Sequence, residues 1–380
     1  MRLARQLPAA LAVAVLALAC LTGIVFVGPA AHAAPGSDQP AVGGPALASH
    51  GMVVDSDPGA PPVPADLTAS SWLVADLDSG AVLAARDPHG RYLPASTLKT
   101  LTALTLIPLL DPDTVVRPTY DDIAVDGSKV GLVDTMGYPV RQLFTAMLVV
   151  SANDAADTLA TAAGGIPKTL ALMNAEAQKL RAYDTHAGTP SGLDAPGQTS
   201  SAYDLALIAR AAMALPDFRS YVAIVHSAVS APAGKTIDIY THDRLLTNYP
   251  GAIGIKNGYT VAAQATFVGA ATRNGHTLVV TLMHAAPSVW KEAERLLDWG
   301  FAAIGHVQPV GQLVDPQPDR TRATAALHAA PVRTSAAAQS GGGLGALPIG
   351  LGVSAVVLLI GSWLRRSATR RRRRYSLPPL

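Results

Sequence analysis

The sequence predicts an α+β domain, one antiparallel sheet covered by helices. Three observations predict it. Apolar runs of strand character flank short turn signals near both ends of the globular region. Between those ends lie long segments whose apolar residues recur at helical spacing. A last amphipathic segment follows the final strands. The order strands, helices, strands, helix brings the first and last strands together under a helical cover.

Each element has its own signal. SWLVADLDSGAVLAARD (71–87) holds two apolar runs around Asp78-Ser79-Gly80, a hairpin pattern. ASTLKTLTALTLIPLL (95–110) has helical spacing, as does the alanine-rich VRQLFTAMLVVSANDAADTLATAAG (140–164), which a polar stretch interrupts. IPKTLALMNAEAQKLRAY (166–183) and SAYDLALIARAAMAL (201–215) are amphipathic, and Ser201 with Asp204 makes a capping-box-like start. TFVGAATRNGHTLVVTLMHA (266–285) reads as two strands around Arg273-Asn274-Gly275-His276, and VWKEAERLLDWGFAAI (289–304) as the closing helix.

The flanks carry targeting signals. Arg2 and Arg5 precede an apolar run from Leu11 to Val27, and Ala31-His32-Ala33 offers a small-x-small cleavage site, so residues 1–33 read as a signal peptide. A weak lipobox-like Ala17-Leu18-Ala19 before Cys20 is the alternative. That lone cysteine excludes an intrachain disulfide and a cysteine-based zinc site. Residues 34–65, rich in Pro, Gly, Ala and Asp, read as a flexible leader, 66–305 as the globular domain, and 306–343 as a Pro/Ala/Gly-rich tether. Residues 344–364 hold 21 uncharged positions, enough to span a bilayer, and the arginine-rich tail 365–380 follows directly. Basic flanks stay cytoplasmic, which predicts a single-pass cell-membrane protein with its domain outside. Net charge is only +2, and without the tail the rest is net acidic, so no general nucleic-acid affinity is implied.

Three short motifs carry the chemistry. Ser96 precedes Lys99 by three residues at the start of a helical run. One reading is an N-cap serine and a surface lysine. The other is a nucleophile beside its base, since i and i+3 share a helix face and a neutral lysine can take a hydroxyl proton. Ser151-Ala152-Asn153 interrupts an apolar helical run where neither polar residue favours helix. Lys256-Asn257-Gly258, followed by Tyr259 and Thr260, fits a strand edge with a cleft-facing cation, and Gly258 permits close backbone approach. Each motif alone also reads as a cap, a loop or a surface turn.

Together, in this order and with spacings of 55 and 105 residues, the motifs resemble the S-x-x-K, S-x-N and K-T-G elements of the serine-type D-alanyl-D-alanine carboxypeptidases, the low-molecular-weight penicillin-binding proteins of peptidase family S11. LPASTLKTLTAL, SANDAADTLA, DTHAGTPSGLDAPGQTSSAYDLALIAR, YPGAIGIKNGYT and ERLLDWGF extend the resemblance over residues 70–303. It implies a β-lactamase/transpeptidase-like fold with an all-helical subdomain. It implies Ser96 as acylated nucleophile, Lys99 as general base and Ser151 as proton relay. Asn153 would hold the substrate amide, Lys256 would set the electrostatics and help anchor the terminal carboxylate, and the N–H groups of Ser96 and Tyr259 would form the oxyanion hole. The implied substrate is the peptidoglycan stem peptide, with β-lactams as inhibitors and no cofactor.

Two departures bear on carboxylate recognition. Asn257 replaces the usual threonine, and HAAPSVWKEAER lacks an arginine often found there, with Lys291 as the substitute on offer. His186 and Asp154 are expected in structural roles, Asp154 at a helix start or in solvent. The ten histidines show no closely spaced ligand pair, so no metal is expected. A β-lactamase, a D,D-endopeptidase and a non-catalytic peptidoglycan-binding scaffold remain as alternatives.

Overall fold

The computed structural model describes residues 41–317. In chain order these form β1 (Met52–Ser56), β2 (Ser71–Asp76), β3 (Ala81–Arg86), α1 (Lys99–Leu106), β4 (Val115–Val116), α2 (Tyr120–Ala124), β5 (Tyr138–Pro139), α3 (Val140–Val149), α4 (Asn153–Ala162), α5 (Ile166–Lys179), α6 (Ala202–Met213), α7 (Pro216–Val222), β6 (His226–Ala231), β7 (Lys235–Tyr240), α8 (Arg244–Asn248), β8 (Ala252–Thr260), β9 (Gln264–Arg273), β10 (His276–Ala285), α9 (Val289–Ala303), β11 (Val307–Gln308) and β12 (Gly311–Gln312).

The main sheet runs β11-β1-β3-β2-β10-β9-β8, with β12 beside β3, and every pairing is antiparallel. The expected first hairpin and last hairpin do meet, through β2 and β10, with Val74 opposite Val280. Alternation sorts the two faces. Leu73, Ala75, Val279 and Met283 pack with the helices α1 and α3 to α6, while Trp72, Val74, Val280 and Leu282 pack under α9. The β9–β10 turn places Asn274 and Gly275 at φ 51° and 81°, the positive values a two-residue hairpin turn requires.

The fold reaches past both expected boundaries. In the described part of the expected flexible leader, residues 41–65, Leu47 is fully buried, β1 pairs with β3 and β11, and Trp299 donates to the Pro61 carbonyl. At the other end, β11 and β12 extend the sheet and Leu313 is buried, so residues 306–317 belong to the domain rather than to a tether. Composition hid these strands because they are only two to five residues long and set among prolines and glycines. Their ordering comes from pairing that covers the open edge of β3. The expected signal peptide, membrane span and basic tail lie outside the described residues. Among the described residues no helix is long and apolar enough to cross a membrane. Residues 216–248, unassigned from sequence, form α7, the β6–β7 hairpin and α8.

Candidate active site

The cleft lies between β8, at the edge of the sheet, and the helical lobe. Its centre is the start of α1. A 3-10 turn, Ala95–Leu98, feeds directly into α1, and all eight residues of that helix are buried. Lys99 is therefore no surface lysine: it is fully buried. Its Nζ stands 3.0 Å from Ser96 Oγ, 2.6 Å from Asn153 Oδ1 and 2.6 Å from the Ser191 carbonyl oxygen. Asn153 is the first residue of α4, and its Nδ2 donates to the Asp126 carbonyl at 2.7 Å. Ser151 occupies the break between α3 and α4 in a left-handed conformation, φ 60°, and is almost entirely buried. No hydrogen bond joins its hydroxyl to Lys99 or Lys256.

Two glycines let the walls close on Ser96. A Cβ on Gly258 of β8 would lie 2.7 Å from the Ser96 nitrogen and 3.0 Å from that of Thr97. A Cβ on Gly192, at φ +81°, would lie 2.0 Å from the Ala95 carbonyl oxygen. Gly258 thus fits β8 against the Ser96 N–H, and Gly192 lets the 189–193 turn deliver the Ser191 carbonyl to Lys99.

Two buried lysines dominate the electrostatics. Burial pushes the Lys99 ammonium well below the ordinary lysine range and the Lys256 charge pushes it further, against the pull of Asp157 and Asp154. Burial brings Lys256 down to about 7, opposed by Asp243. Lys256 Nζ donates to the Asn257 carbonyl at 2.7 Å. Burial also raises Asp157 to about 7, aided by Asp122. Asp157 follows Asn153 by one turn on α4, and its Oδ1 has no hydrogen-bond partner among the described residues. Asp154 is not a solvent residue. Its buried carboxylate accepts from the N–H groups of Val130, Gly131 and Leu132 at 2.9–3.1 Å, fixing the loop over α4.

The surroundings of Asn257 include a histidine and an arginine that the sequence did not single out. A cavity of about 460 Å3 beside Asn257, Gly258 and Tyr259 is lined by His242, Arg244 and Trp290. Lys291 is not among its lining residues and lies exposed, its Nζ 5.5 Å from the Trp290 ring centre. Thr260 Oγ1 donates to Asp194 at 2.9 Å and accepts from the Ala263 N–H, so this hydroxyl is already engaged. The Tyr259 side chain is exposed. Sequence reasoning missed Ser191, Asp157, His242 and Arg244. Only Gly192, within TPSGLD, hinted at the first.

Away from the cleft, His89, Asp184 and Asp204 bring ligand-type atoms within 4.8 Å of one another. They form a clasp. His89 bonds Asp184 at 2.8 Å and the Val42 carbonyl at 3.0 Å, and Arg91 also bonds Asp184.

A serine held by a buried lysine at a helix start, walled by a sheet edge, defines an active-site-serine hydrolase. The D-alanyl-D-alanine carboxypeptidase family model, peptidase S11, matches residues 58–287. D-alanyl-D-alanine carboxypeptidase DacB2 of Mycobacterium tuberculosis is 47% identical over 251 residues, 64% of this chain and 86% of that protein. DacD of Salmonella typhimurium is 33% identical over 262 residues, 65% of this chain and 66% of that protein. A solved D-alanyl-D-alanine carboxypeptidase from M. tuberculosis H37Rv superposes with a TM-score of 0.65 at 45% identity, covering 68% of this chain and 99% of its own. The Streptomyces K15 DD-transpeptidase gives 0.59 at 25% identity, covering 64% and 99%. The chain belongs to the D-alanyl-D-alanine carboxypeptidase family, peptidase S11.

Proposed function

We propose that this chain is a membrane-anchored serine D-Ala-D-Ala carboxypeptidase that removes the terminal D-alanine from peptidoglycan stem peptides and is acylated by β-lactams. The observation that carries the mechanism is the set of partners around Lys99 Nζ. A neutral amine has two N–H bonds and one lone pair. Asn153 Oδ1 and the Ser191 carbonyl are acceptors only, so they take the two N–H bonds. The lone pair is left facing Ser96 Oγ at 3.0 Å. Burial and Lys256 favour the neutral amine this requires.

Ser96 Oγ attacks the penultimate D-Ala carbonyl while Lys99 takes its proton. The N–H groups of Ser96 and Tyr259 stabilise the oxyanion, each such donor supplying about 3 kcal/mol. Ser151 passes a proton to the departing D-alanine, and water then hydrolyses the acyl-enzyme. His242 and Arg244, lining the cavity beside Asn257, receive the terminal carboxylate. Arg244 is the stronger anchor because its planar guanidinium can pair with a carboxylate through two parallel hydrogen bonds.

The apolar stretch 344–364 and the arginines after it support a single span with the domain outside the cell. The Pro/Ala/Gly-rich composition of residues 318–343 supports a tether between that span and the domain. The activity is tested by incubating the full-length chain with a pentapeptide ending in D-Ala-D-Ala. The native chain releases D-alanine and Ser96→Ala does not. Release by Ser96→Ala would refute the assignment.

A further inference from the structure

We propose that the domain holds a second binding site, for a small aliphatic carboxylate, in a groove at the end of the sheet remote from Ser96. The proposal goes beyond the peptidase reading and stands independently of it.

The groove has a volume of about 820 Å3, within the range of about 300–1000 Å3 that small-molecule sites occupy. It is larger than the cavity of about 460 Å3 beside Asn257 and shares no lining residue with it. Its position follows from the topology. β2 and β9 end, and β8 and β10 begin, at this end of the sheet, while α6, α7 and α8 supply the facing wall. Ile253 of β8 lines the groove, and five residues of strand, about 16 Å, separate it from Gly258 beside Ser96.

Apolar side chains make up much of the lining. Leu77, Met213, Leu246 and Ile253 converge from four separate segments, and none of the four is exposed. A concave apolar patch of this size marks a binding surface. Met213, unbranched and flexible, lets the wall adapt to its occupant.

Charge selects that occupant. Two arginines stand in the lining, Arg210 and Arg219. Arg210 is already committed. Its Nε donates to the Leu77 carbonyl at 3.1 Å and its Nη1 to that of Leu313 at 2.9 Å, and Asp315 lies 3.3 Å from the same Nη1. Asp78 is engaged as well, accepting the Thr277 N–H at 3.2 Å. Arg219 differs. Its Nη1 donates to the Met213 carbonyl at 2.6 Å, which fixes the guanidinium across the α6–α7 turn. Among the described residues no other hydrogen bond engages it, and no carboxylate lies within 4.0 Å of it. Nε and Nη2 are left to donate side by side, the geometry a carboxylate accepts. One uncompensated charge beside an apolar groove suits one negative charge on an apolar body. A polyanion would find a single free cation here.

The probe is a hexanoate analogue carrying a diazirine, photolysed on the full-length chain in phosphatidylcholine vesicles, with labelled peptides mapped by mass spectrometry. Labels are expected on the peptides holding Met213, Arg219 and Ile253. Hexanoate should displace the probe, and hexanol, lacking the charge, should do so about tenfold less well. Arg219→Ala should weaken probe binding about tenfold, with Arg219→Lys keeping part of the affinity. Ala223→Trp, which puts an indole into the groove, should abolish labelling there. Arg219 and Ala223 are exposed, so each variant should melt within about 2 °C of the native chain. Labels confined to other parts of the chain overturn the proposal. Hexanol displacing as well as hexanoate overturns it, as does native affinity in Arg219→Ala. Tighter displacement by hexyl phosphate than by hexanoate overturns it in favour of a phosphate head group. None of these failures touches the acylation of Ser96 by a penicillin, measured on the same preparation.

Discussion

Gly258→Ala isolates the contact between β8 and Ser96. An added Cβ would lie 2.6 Å from Thr266 Oγ1, 2.7 Å from the Ser96 nitrogen and 3.0 Å from the Thr97 nitrogen. Ordinary contacts begin near 3.4 Å, so the strand must retreat from Ser96 by about 0.7 Å. The 3-10 turn cannot yield in its place. Thr97 and Thr266 both donate to the Pro94 carbonyl, at 2.6 and 2.8 Å, and Ala95 is fully buried. The strand shift carries the Tyr259 N–H away from that of Ser96. Misplacement on the order of 1 Å costs about 100-fold in rate, and loss of one oxyanion donor costs about 100- to 1000-fold. Acylation by a fluorescent penicillin, timed under single-turnover conditions, should therefore slow about 100-fold. Overpacking should lower stability by about 1–3 kcal/mol. Gly51→Ala, whose new Cβ meets nothing nearer than Ser49 Oγ at 3.5 Å, serves as the control. Acylation of Gly258→Ala within about threefold of the native rate would refute the close-approach argument.

Other changes test the rest of the site. Asp154→Ala strands three loop N–H groups under α4 and should destabilise the domain by about 3 kcal/mol or more, read by urea unfolding. Asp157 has its folded pKa raised to about 7 from 3.8, so the stability it contributes is full below about 4 and is lost as pH rises towards 7. Asp157→Asn lacks that loss, and its Tm relative to the native chain should climb between pH 4 and pH 8; a pH-independent difference would contradict the buried-carboxyl assignment. Arg244→Ala should lower kcat/KM for D-Ala-D-Ala peptides about tenfold while Lys291→Ala stays within about twofold, and the reverse order would move the carboxylate anchor to Lys291.

Much of the framework was legible because its signals are local. The β2–β3 and β9–β10 hairpins and helices α1, α3 to α6 and α9 each carry their own period or turn residues. Ser96, Lys99 and Asn153 were legible through the order of their motifs, and the structure brings these three into direct contact. The rest depends on groups far apart in the chain. The Ser191 carbonyl reaches Lys99 from 92 residues away, and a backbone oxygen leaves no mark on residue type. Arg244 follows an N-cap aspartate at the start of a five-residue helix, with no pattern tying it to Asn257. Asp157 reads as one more polar residue on an alanine-rich helix until burial leaves its Oδ1 without a partner. β1, β11 and β12 are too short to signal themselves and become strands only by pairing along the open side of the sheet.

The proposed mechanism makes Ser96 the nucleophile, readied by a neutral Lys99. Its most direct test is peptide-mapping mass spectrometry of the full-length chain after incubation with a labelled penicillin. One covalent adduct is expected, on the Ser96 peptide, absent from Ser96→Ala and strongly slowed in Lys99→Met. An adduct on another residue, or none on the native chain, would contradict it.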